Sequence, residues 1–157
     1  MSDKYEPLLL SMPAALEAFW PLAAPLLERA IKKAVNGEFT LEHLHTQAVA
    51  GKVSVFVMTN DKAGVRPVEE RKVKLAMVVE VINYPTLPVL NIVILGGSGL
   101  RQFWKQFWGT FSGWAYMNGI RAVEGWVSPS MQRVTSSMGF SPVYTKMRFA
   151  LTESGNE

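Results

Sequence analysis

The sequence predicts an α/β protein with a mixed, mostly antiparallel sheet, a central parallel strand pair and helices on both faces. Three strand-like stretches lie between residues 52 and 95 with no helical pattern between them, which is typical of antiparallel hairpins. A strand, helix and strand then follow over residues 89–127, and such a unit forms a right-handed crossover between parallel strands. Helical patterns before and after this unit supply cover for both faces of the sheet.

Composition favours one globular domain. The chain has 157 residues, of which 48% are hydrophobic and 18% charged, and this balance suits a packed core rather than a disordered chain. We expect a single domain over residues 1–157, with an N-terminal arm at 1–12 and a polar tail at 152–157.

Several classes of protein are disfavoured by what the sequence lacks. It has no cysteine, so disulfides and thiolate sites are excluded. No apolar run approaches the roughly 20 residues that span a bilayer, and acids and prolines near the N-terminus argue against a signal peptide. Basic residues are scattered and the formal charge is only +3, so nucleic acid is not indicated as a partner. We expect a cytoplasmic protein.

In the first half of the chain, Pro21 and Pro25 should interrupt a helix, because proline removes a backbone N–H and clashes with the preceding turn. A strand is expected in the arm at Leu8–Leu10. Helical stretches are expected at 13–20, 26–35 and 41–50.

The second half of the chain supplies most of the predicted sheet. The expected strands are 52–59, 71–84, 89–95, 121–127 and 143–151, and the expected helices are 99–117 and 128–138. Alternation along the longest strand places Glu80 on the same face as Val78 and Ile82.

A glycine cluster separates the central strand from the following helix. Ser98 is expected to cap that helix, and free N–H groups of its first turn would attract an anion. The alternative is a strand-to-helix turn that needs small residues for close packing. The residues at this junction are Leu95, Gly96, Gly97, Ser98, Gly99, Leu100 and Arg101.

Glu80 is the most promising acid–base residue. Burial in an apolar strand raises the pKa of a carboxyl group and would suit it as a general base. The alternative is a carboxylate at a sheet end that pairs with a cation. Asn91 interrupts the neighbouring strand, and a hydrogen bond between the two is expected. His43 and His45 do not share a helix face, so no metal site is expected.

The helix after the glycine cluster is unusually aromatic. Its apolar arc is wider than one sheet face needs. The same helix carries Gly109 and Gly113, four residues apart, which permit close approach of another backbone. The arc is either a well-packed core face or a surface that binds a protein partner. Its aromatic residues are Phe103, Trp104, Phe107, Trp108, Phe111 and Trp114.

The order of elements, with Asn118-Gly119-Ile120, Met138-Gly139-Phe140 and Gly97-Ser98-Gly99, resembles the GNAT superfamily of acyl-CoA-dependent N-acyltransferases. The resemblance covers residues 14–151 and is nearest to versions encoded by short-tailed bacteriophages, some of which are thought to be virion components. It implies acetyl-CoA as cofactor, with the pyrophosphate and pantetheine held by the seven residues 95–101. It also implies transfer of the acetyl group to a small-molecule or protein amine, with Glu80 accepting the amine's proton.

The chain departs from that family at three positions. Ile94 stands where the family's pyrophosphate motif has Gln or Arg, Thr135 where it commonly has a general-acid tyrosine, and Ser128 where an asparagine is usual. Tyr144 or Tyr84 would then have to replace the acid. The competing hypothesis is a degenerate, non-catalytic relative: a phage virion or host-interaction protein that binds its partner through the aromatic helix, located in the host cytoplasm or the virion.

Overall fold

A computed structural model describes residues 4–35, 37–127 and 129–152. The chain forms two compact units, Met1–Trp126 and Val127–Glu157. A short 3-10 turn at Val68–Glu70 precedes β3. The helices and strands, in chain order, are β1 Glu6–Leu9, α1 Pro13–Ala34, α2 Leu41–Val49, β2 Ser54–Thr59, β3 Val73–Tyr84, β4 Leu87–Gly97, α3 Leu100–Met117, β5 Ala122–Gly125 and α4 Pro129–Ser137.

The first unit is built on a five-stranded sheet in the order β1-β2-β3-β4-β5. The first four strands are antiparallel, and β4 pairs with β5 in parallel. The predicted α/β class, with its mixed sheet and central parallel pair, is confirmed. The expected edge strand in the arm is also confirmed, since Glu6–Leu9 pairs with β2.

Each face of the sheet is covered by a different apolar layer, as the strand alternation requires. Side chains such as Val57 and Val78 pack with α1 and α2 on one face. Met58 and Met77 pack on the other face against Phe107 and other residues of α3. The predicted helices on both faces are therefore confirmed.

The predicted break in the first helix is wrong, because α1 runs continuously through Pro21 and Pro25. Each proline removes one helix N–H and costs roughly 3 kcal/mol or more in a helix interior. Burial of the face that carries Phe19, Ala23 and Leu27 against the sheet offsets this cost. None of the described helices combines the length and apolar character needed to cross a membrane.

A buried ion pair fixes the loop between β2 and β3. The Arg71 Nε donates to Asp61 Oδ2 over 2.9 Å, and the two side chains are only 8% and 2% exposed. The backbone N–H groups of Val65 and Arg66 also donate to the Asp61 carboxylate. Burial alone would raise the pKa of Asp61, but these donors outweigh it and hold the pKa below its usual range.

The second unit contains α4 and an extended C-terminal stretch. The strand expected at 143–151 is wrong for the isolated chain, where these residues adopt no regular structure. β5 also ends at Gly125 rather than Val127. A strand needs a hydrogen-bonded neighbour, and sequence alternation does not supply one. The expectation of a single domain stays a prediction, and the tail beyond Thr152 lies outside the described residues.

Candidate functional site

A fork between β4 and β5 is the most distinctive feature of the sheet. β4 pairs with β3 along its length to Gly97, but its pairing with β5 stops at Ile92 and Gly125. A β-bulge marks the point where the two strands separate. Ile92 and Ile94 pair with two consecutive residues of β3, so Val93 between them is the extra residue of the bulge. Beyond the bulge, one edge of β4 has no strand partner within the described part of the sheet.

The polar backbone groups of Leu95 and Gly97 face this fork. The Ser98 N–H donates to the Lys74 carbonyl over 2.9 Å, so Ser98 and Lys74 form a hydrogen-bonded pair of the antiparallel ladder with β3. Hydrogen-bonded and non-hydrogen-bonded pairs alternate in an antiparallel ladder. Gly96 therefore also bonds toward β3, whereas Leu95 and Gly97 turn their N–H and C=O groups the other way.

Two of the junction glycines are needed for packing within the chain. A Cβ at Gly96 would collide with the Leu26 carbonyl oxygen of α1, which crosses β4 at this point. A Cβ at Gly97 would collide with the Lys74 carbonyl oxygen, and the φ of +128° at Gly97 also favours glycine. The close-packing alternative thus applies to both residues, while Gly97 still presents its backbone to the fork.

The N-terminus of α3 lies beside the fork. Gly99, with a φ of +75°, occupies the N-cap position, and no side chain caps the helix. The prediction that Ser98 caps α3 is wrong. Ser98 lies one residue before the N-cap position, and its N–H donates to the carbonyl of Lys74. The N–H groups of Leu100, Arg101 and Gln102 have no acceptor inside the helix, and the helix dipole is positive at this end.

This junction fits a pyrophosphate. Three helix N–H groups and the exposed Arg101 side chain lie at one end of the fork, and Ser98 and Gly99 are exposed there. The edge of β4 at Leu95 offers backbone groups suited to an amide-containing arm such as pantetheine. The assignment of 95–101 to a cofactor stays a prediction, with Gly96 turned toward β3 and covered by α1.

Glu80 and Asn91 lie directly opposite each other on β3 and β4, one residue before the fork. The expected hydrogen bond is confirmed: Asn91 Nδ2 donates to Glu80 Oε1 over 3.0 Å. Asn91 is buried, whereas Glu80 is half-buried. The bond leaves the second oxygen of Glu80 for another partner and fixes the direction of the carboxylate.

A second carboxylate, which the sequence did not reveal, lies beside Asn91 on the next strand and forms a row with Asn91 and Glu80. Glu124 of β5 pairs in register with Asn91 and lies on the same face, since Val123 before it packs on the α3 side. The Tyr84 hydroxyl donates to Glu124 Oε1 over 2.9 Å. Alternation in the expected strand 121–127 could have placed Glu124 on the Glu80 face, but only after the register of β5 against β4 was known.

The other predicted acid–base positions lie in the second unit. Tyr144 is 85% exposed there, in the stretch without regular structure. The Thr135 hydroxyl donates within α4 to the carbonyls of Met131 and Gln132. Ser128 lies outside the described residues. The catalytic roles of Glu80 and Tyr144 stay predictions.

The aromatic helix is partly a core helix. Phe107 and Phe111 are fully buried, as the core alternative predicts. Trp104 and Trp108 are half-buried and stack at 5.0 Å between ring centroids. Binding of a protein partner by this helix stays a prediction.

Neither a protein-family model nor a curated protein matches this sequence. Solved structures match its fold. The aminoglycoside N-acetyltransferase AAC(6')-Iy in complex with CoA aligns over 96% of both chains, with 13% identity and a TM-score of 0.67. The acetyltransferase meta-AAC0020 from an uncultured soil metagenomic sample, in complex with sisomicin, aligns over 95% of this chain and 96% of its own, with 16% identity and a TM-score of 0.63. A putative acetyl transferase from Pyrococcus furiosus covers 94% and 100%, with 10% identity and a TM-score of 0.64. The chain therefore has a GNAT-like fold.

Proposed function

We propose that this protein is an acyl-CoA-dependent N-acetyltransferase that acts on a small-molecule amine. The observation that carries the proposal is the fork after Ile92 and Gly125, with the half-buried carboxylate of Glu80 at its start. The GNAT-like fold supports it, as does the CoA in the complex of AAC(6')-Iy.

The cofactor would be held by β4 and α3. The N–H groups at Leu100 and Arg101, with the Arg101 guanidinium, suit the negative charge of a pyrophosphate. The outward-facing backbone at Leu95 suits the amides of the pantetheine arm. When bound, acetyl-CoA supplies an activated acetyl group as a thioester.

Glu80 serves as the proton acceptor. An ammonium group must lose a proton before its nitrogen can attack, and a carboxylate fixed one residue from the fork can take it directly or through water. Asn91 positions that carboxylate through its 3.0 Å hydrogen bond. The leaving sulfur also needs a proton, and either Tyr84 or Tyr144 is the candidate phenol that the sequence offers for this step.

The amine would approach over the row formed by Glu80, Asn91 and Glu124. Two carboxylates on one face attract a cation, and both Glu80 and Glu124 are half-buried rather than enclosed. Sisomicin and an acetylneamine bisubstrate analogue are the ligands of two matched aminoglycoside acetyltransferases. This supports a small amine more than a protein amine.

Acetyl-CoA titration with thermal unfolding tests the proposal. Binding to the native state alone raises stability by about 2.7 kcal/mol at 100 times Kd. Arg101→Glu should weaken that shift, because it places a negative charge at the pyrophosphate position. Arg133→Glu reverses the charge of another exposed arginine, on α4, and is the matched control that should leave the shift intact. Gly97 is unsuitable as a probe, because any side chain there would disrupt the sheet.

A non-catalytic relative that serves a phage virion or binds a host protein is the second candidate. It is favoured by Thr135, whose hydroxyl is engaged within α4 where active relatives commonly carry a tyrosine. The half-buried stack of Trp104 on Trp108 supplies an aromatic surface for such a partner. Absence of any shift at millimolar acetyl-CoA, with the fold intact, would favour this candidate over the transferase.

A further inference from the structure

Glu80, Asn91 and Glu124 form a row across three neighbouring strands of the first unit. Asn91 on β4 pairs in register with Glu80 on β3 and with Glu124 on β5. Because adjacent strands lie about 4.8 Å apart, the backbones of the two glutamates are separated by about 10 Å, with Asn91 midway. Val79 and Val123, which precede the two glutamates, pack on the α3 side, so both carboxylates lie on the opposite face.

Each carboxylate of the row is directed by a neutral donor. The Asn91 Nδ2 donates to Glu80 Oε1 over 3.0 Å, and the Tyr84 hydroxyl donates to Glu124 Oε1 over 2.9 Å. A neutral donor fixes the direction of a carboxylate but adds no positive charge to it. Each carboxylate also has a second oxygen, which can accept a hydrogen bond from a ligand.

The chain itself supplies no cation to this row. Among the described residues, no lysine or arginine forms an ion pair with Glu80 or Glu124. Arg121, just before β5, is turned toward α3, where its guanidinium lies 4.3 Å from the centre of the Tyr116 ring and donates to the Tyr116 carbonyl. Two half-buried carboxylates at the ends of one row therefore leave a negative field for a ligand with two positive charges.

We propose that this row binds a linear aliphatic di- or polyamine, with one cationic nitrogen at Glu80 and a second at Glu124. The proposal rests on the acetyltransferase function above and names its substrate class. Glu124 is then a specificity-determining residue, because a monoamine fills only the Glu80 end of the row. Tyr84 acts through Glu124, whose carboxylate it positions.

The two nitrogens of the substrate have different fates. The nitrogen at Glu80 loses a proton to that carboxylate and bonds to the acetyl carbon as the bond between this carbon and the sulfur of CoA breaks, and the sulfur takes up a proton. The nitrogen at Glu124 keeps its charge and holds the substrate across Asn91. A diamine therefore leaves as a mono-acetylated product that retains one cation.

Binding without acetyl-CoA gives the first test. Titration calorimetry compares linear diamines, from 1,2-diaminoethane to 1,8-diaminooctane, with the 1-aminoalkane of the same carbon number. At the best length the diamine should bind about tenfold more tightly, since its second nitrogen adds a charge-assisted hydrogen bond. Glu124→Gln, which still accepts from Tyr84, should bring this ratio close to one, whereas the matched control Glu69→Gln should preserve it. Equal binding at every length, or a preference that survives Glu124→Gln, would overturn the proposal.

The ratio of kcat/KM for the best diamine to that for its monoamine, with acetyl-CoA present, gives the second test. Glu124→Gln should lower this ratio about tenfold. Tyr84→Phe should lower it by less, and the ratio cancels any part that Tyr84 plays in proton transfer, because that step is common to both substrates.

The two tests separate this proposal from the acetyltransferase function on which it rests. Tighter binding of diamines that depends on Glu124, without acetylation of any amine, would support the dication site and refute the transferase. Equal kcat/KM for diamine and monoamine would leave the transferase standing and refute the diamine specificity.

Discussion

Two carboxylates, Asp61 in the loop after β2 and Glu80 within β3, have opposite surroundings. Asp61 follows β2 and is 2% exposed, with an arginine and two backbone N–H groups donating to it. Glu80 lies within β3, is half-buried and has the neutral amide of Asn91 as its hydrogen-bond donor. The first carboxylate is closed off by charge and backbone donors, whereas the second is directed by one bond and keeps an oxygen available.

This difference separates a structural role from a chemical one. A fully paired buried charge stabilises a loop because every donor around it is used, and removing one partner leaves the other uncompensated. A carboxylate that must accept a proton needs a free oxygen and access to its substrate. Asp61 therefore suits the loop between β2 and β3, and Glu80 suits the fork.

The largest effect is expected when the closed pair is broken. Arg71→Met should lower the free energy of unfolding by about 3–5 kcal/mol, because it leaves the Asp61 charge buried without its cation. The Arg71 contact with the Phe19 ring, 4.7 Å to the centroid, is lost as well. Urea unfolding measures the change, and Arg133→Met, an exposed site, should change it by less than about 0.5 kcal/mol. A loss below 1 kcal/mol for Arg71→Met would contradict the structural role of the pair.

Glu80→Gln should separate activity from stability. The amide oxygen of glutamine still accepts from Asn91, so the unfolding free energy should change by less than about 1 kcal/mol. Loss of the general base should lower kcat by roughly 10²–10⁴-fold, measured with a panel of amines, while the acetyl-CoA thermal shift persists. Glu69→Gln, on an exposed turn, is the matched control. Full activity in Glu80→Gln would exclude this residue as the base.

Acid should weaken the contribution of Asp61 to stability. Because its pKa is depressed in the folded state, Asp61 contributes stability that is fully present above the unfolded pKa of about 3.9 and is lost as the pH falls through the folded pKa. Asp61→Asn should be less stable at neutral pH and should lose less further stability below pH 4. Denaturant midpoints across that pH range measure this slope, and parallel curves for the variant and the original protein would be the contrary result.

The smallest expected effect is a gain. Gly109 and Gly113 are exposed within α3, and a Cβ at either position meets no atom within 4 Å. Gly113→Ala should therefore raise the unfolding free energy by about 0.5–1 kcal/mol without affecting either carboxylate. Thermal unfolding measures the gain, and activity should stay constant. A change in activity with Gly113→Ala would contradict the expectation that this position of α3 affects stability alone.

Much of the sheet could be predicted because strands β3 and β4 carry their own alternation and turn signals. The Glu80–Asn91 bond was predictable because both residues interrupt apolar strands that are neighbours in sequence. The link from Tyr84 to Glu124 was not, because it depends on the register of β5 against β4, which the alternation of the strands does not fix. Local rules also failed where packing outweighed them, as at the two prolines of α1.

Those prolines have a consequence for the order in which the protein folds. Pro21 and Pro25 have no N–H to donate to the carbonyls of Glu17 and Pro21, so α1 lacks two of its backbone hydrogen bonds. A helix weakened in this way has little stability apart from the surface it packs on. α1 leaves the ribosome before β2, β3 and β4, which form that surface. We therefore expect the first helix of the chain to be among the last to form, after the hairpins that follow it in sequence.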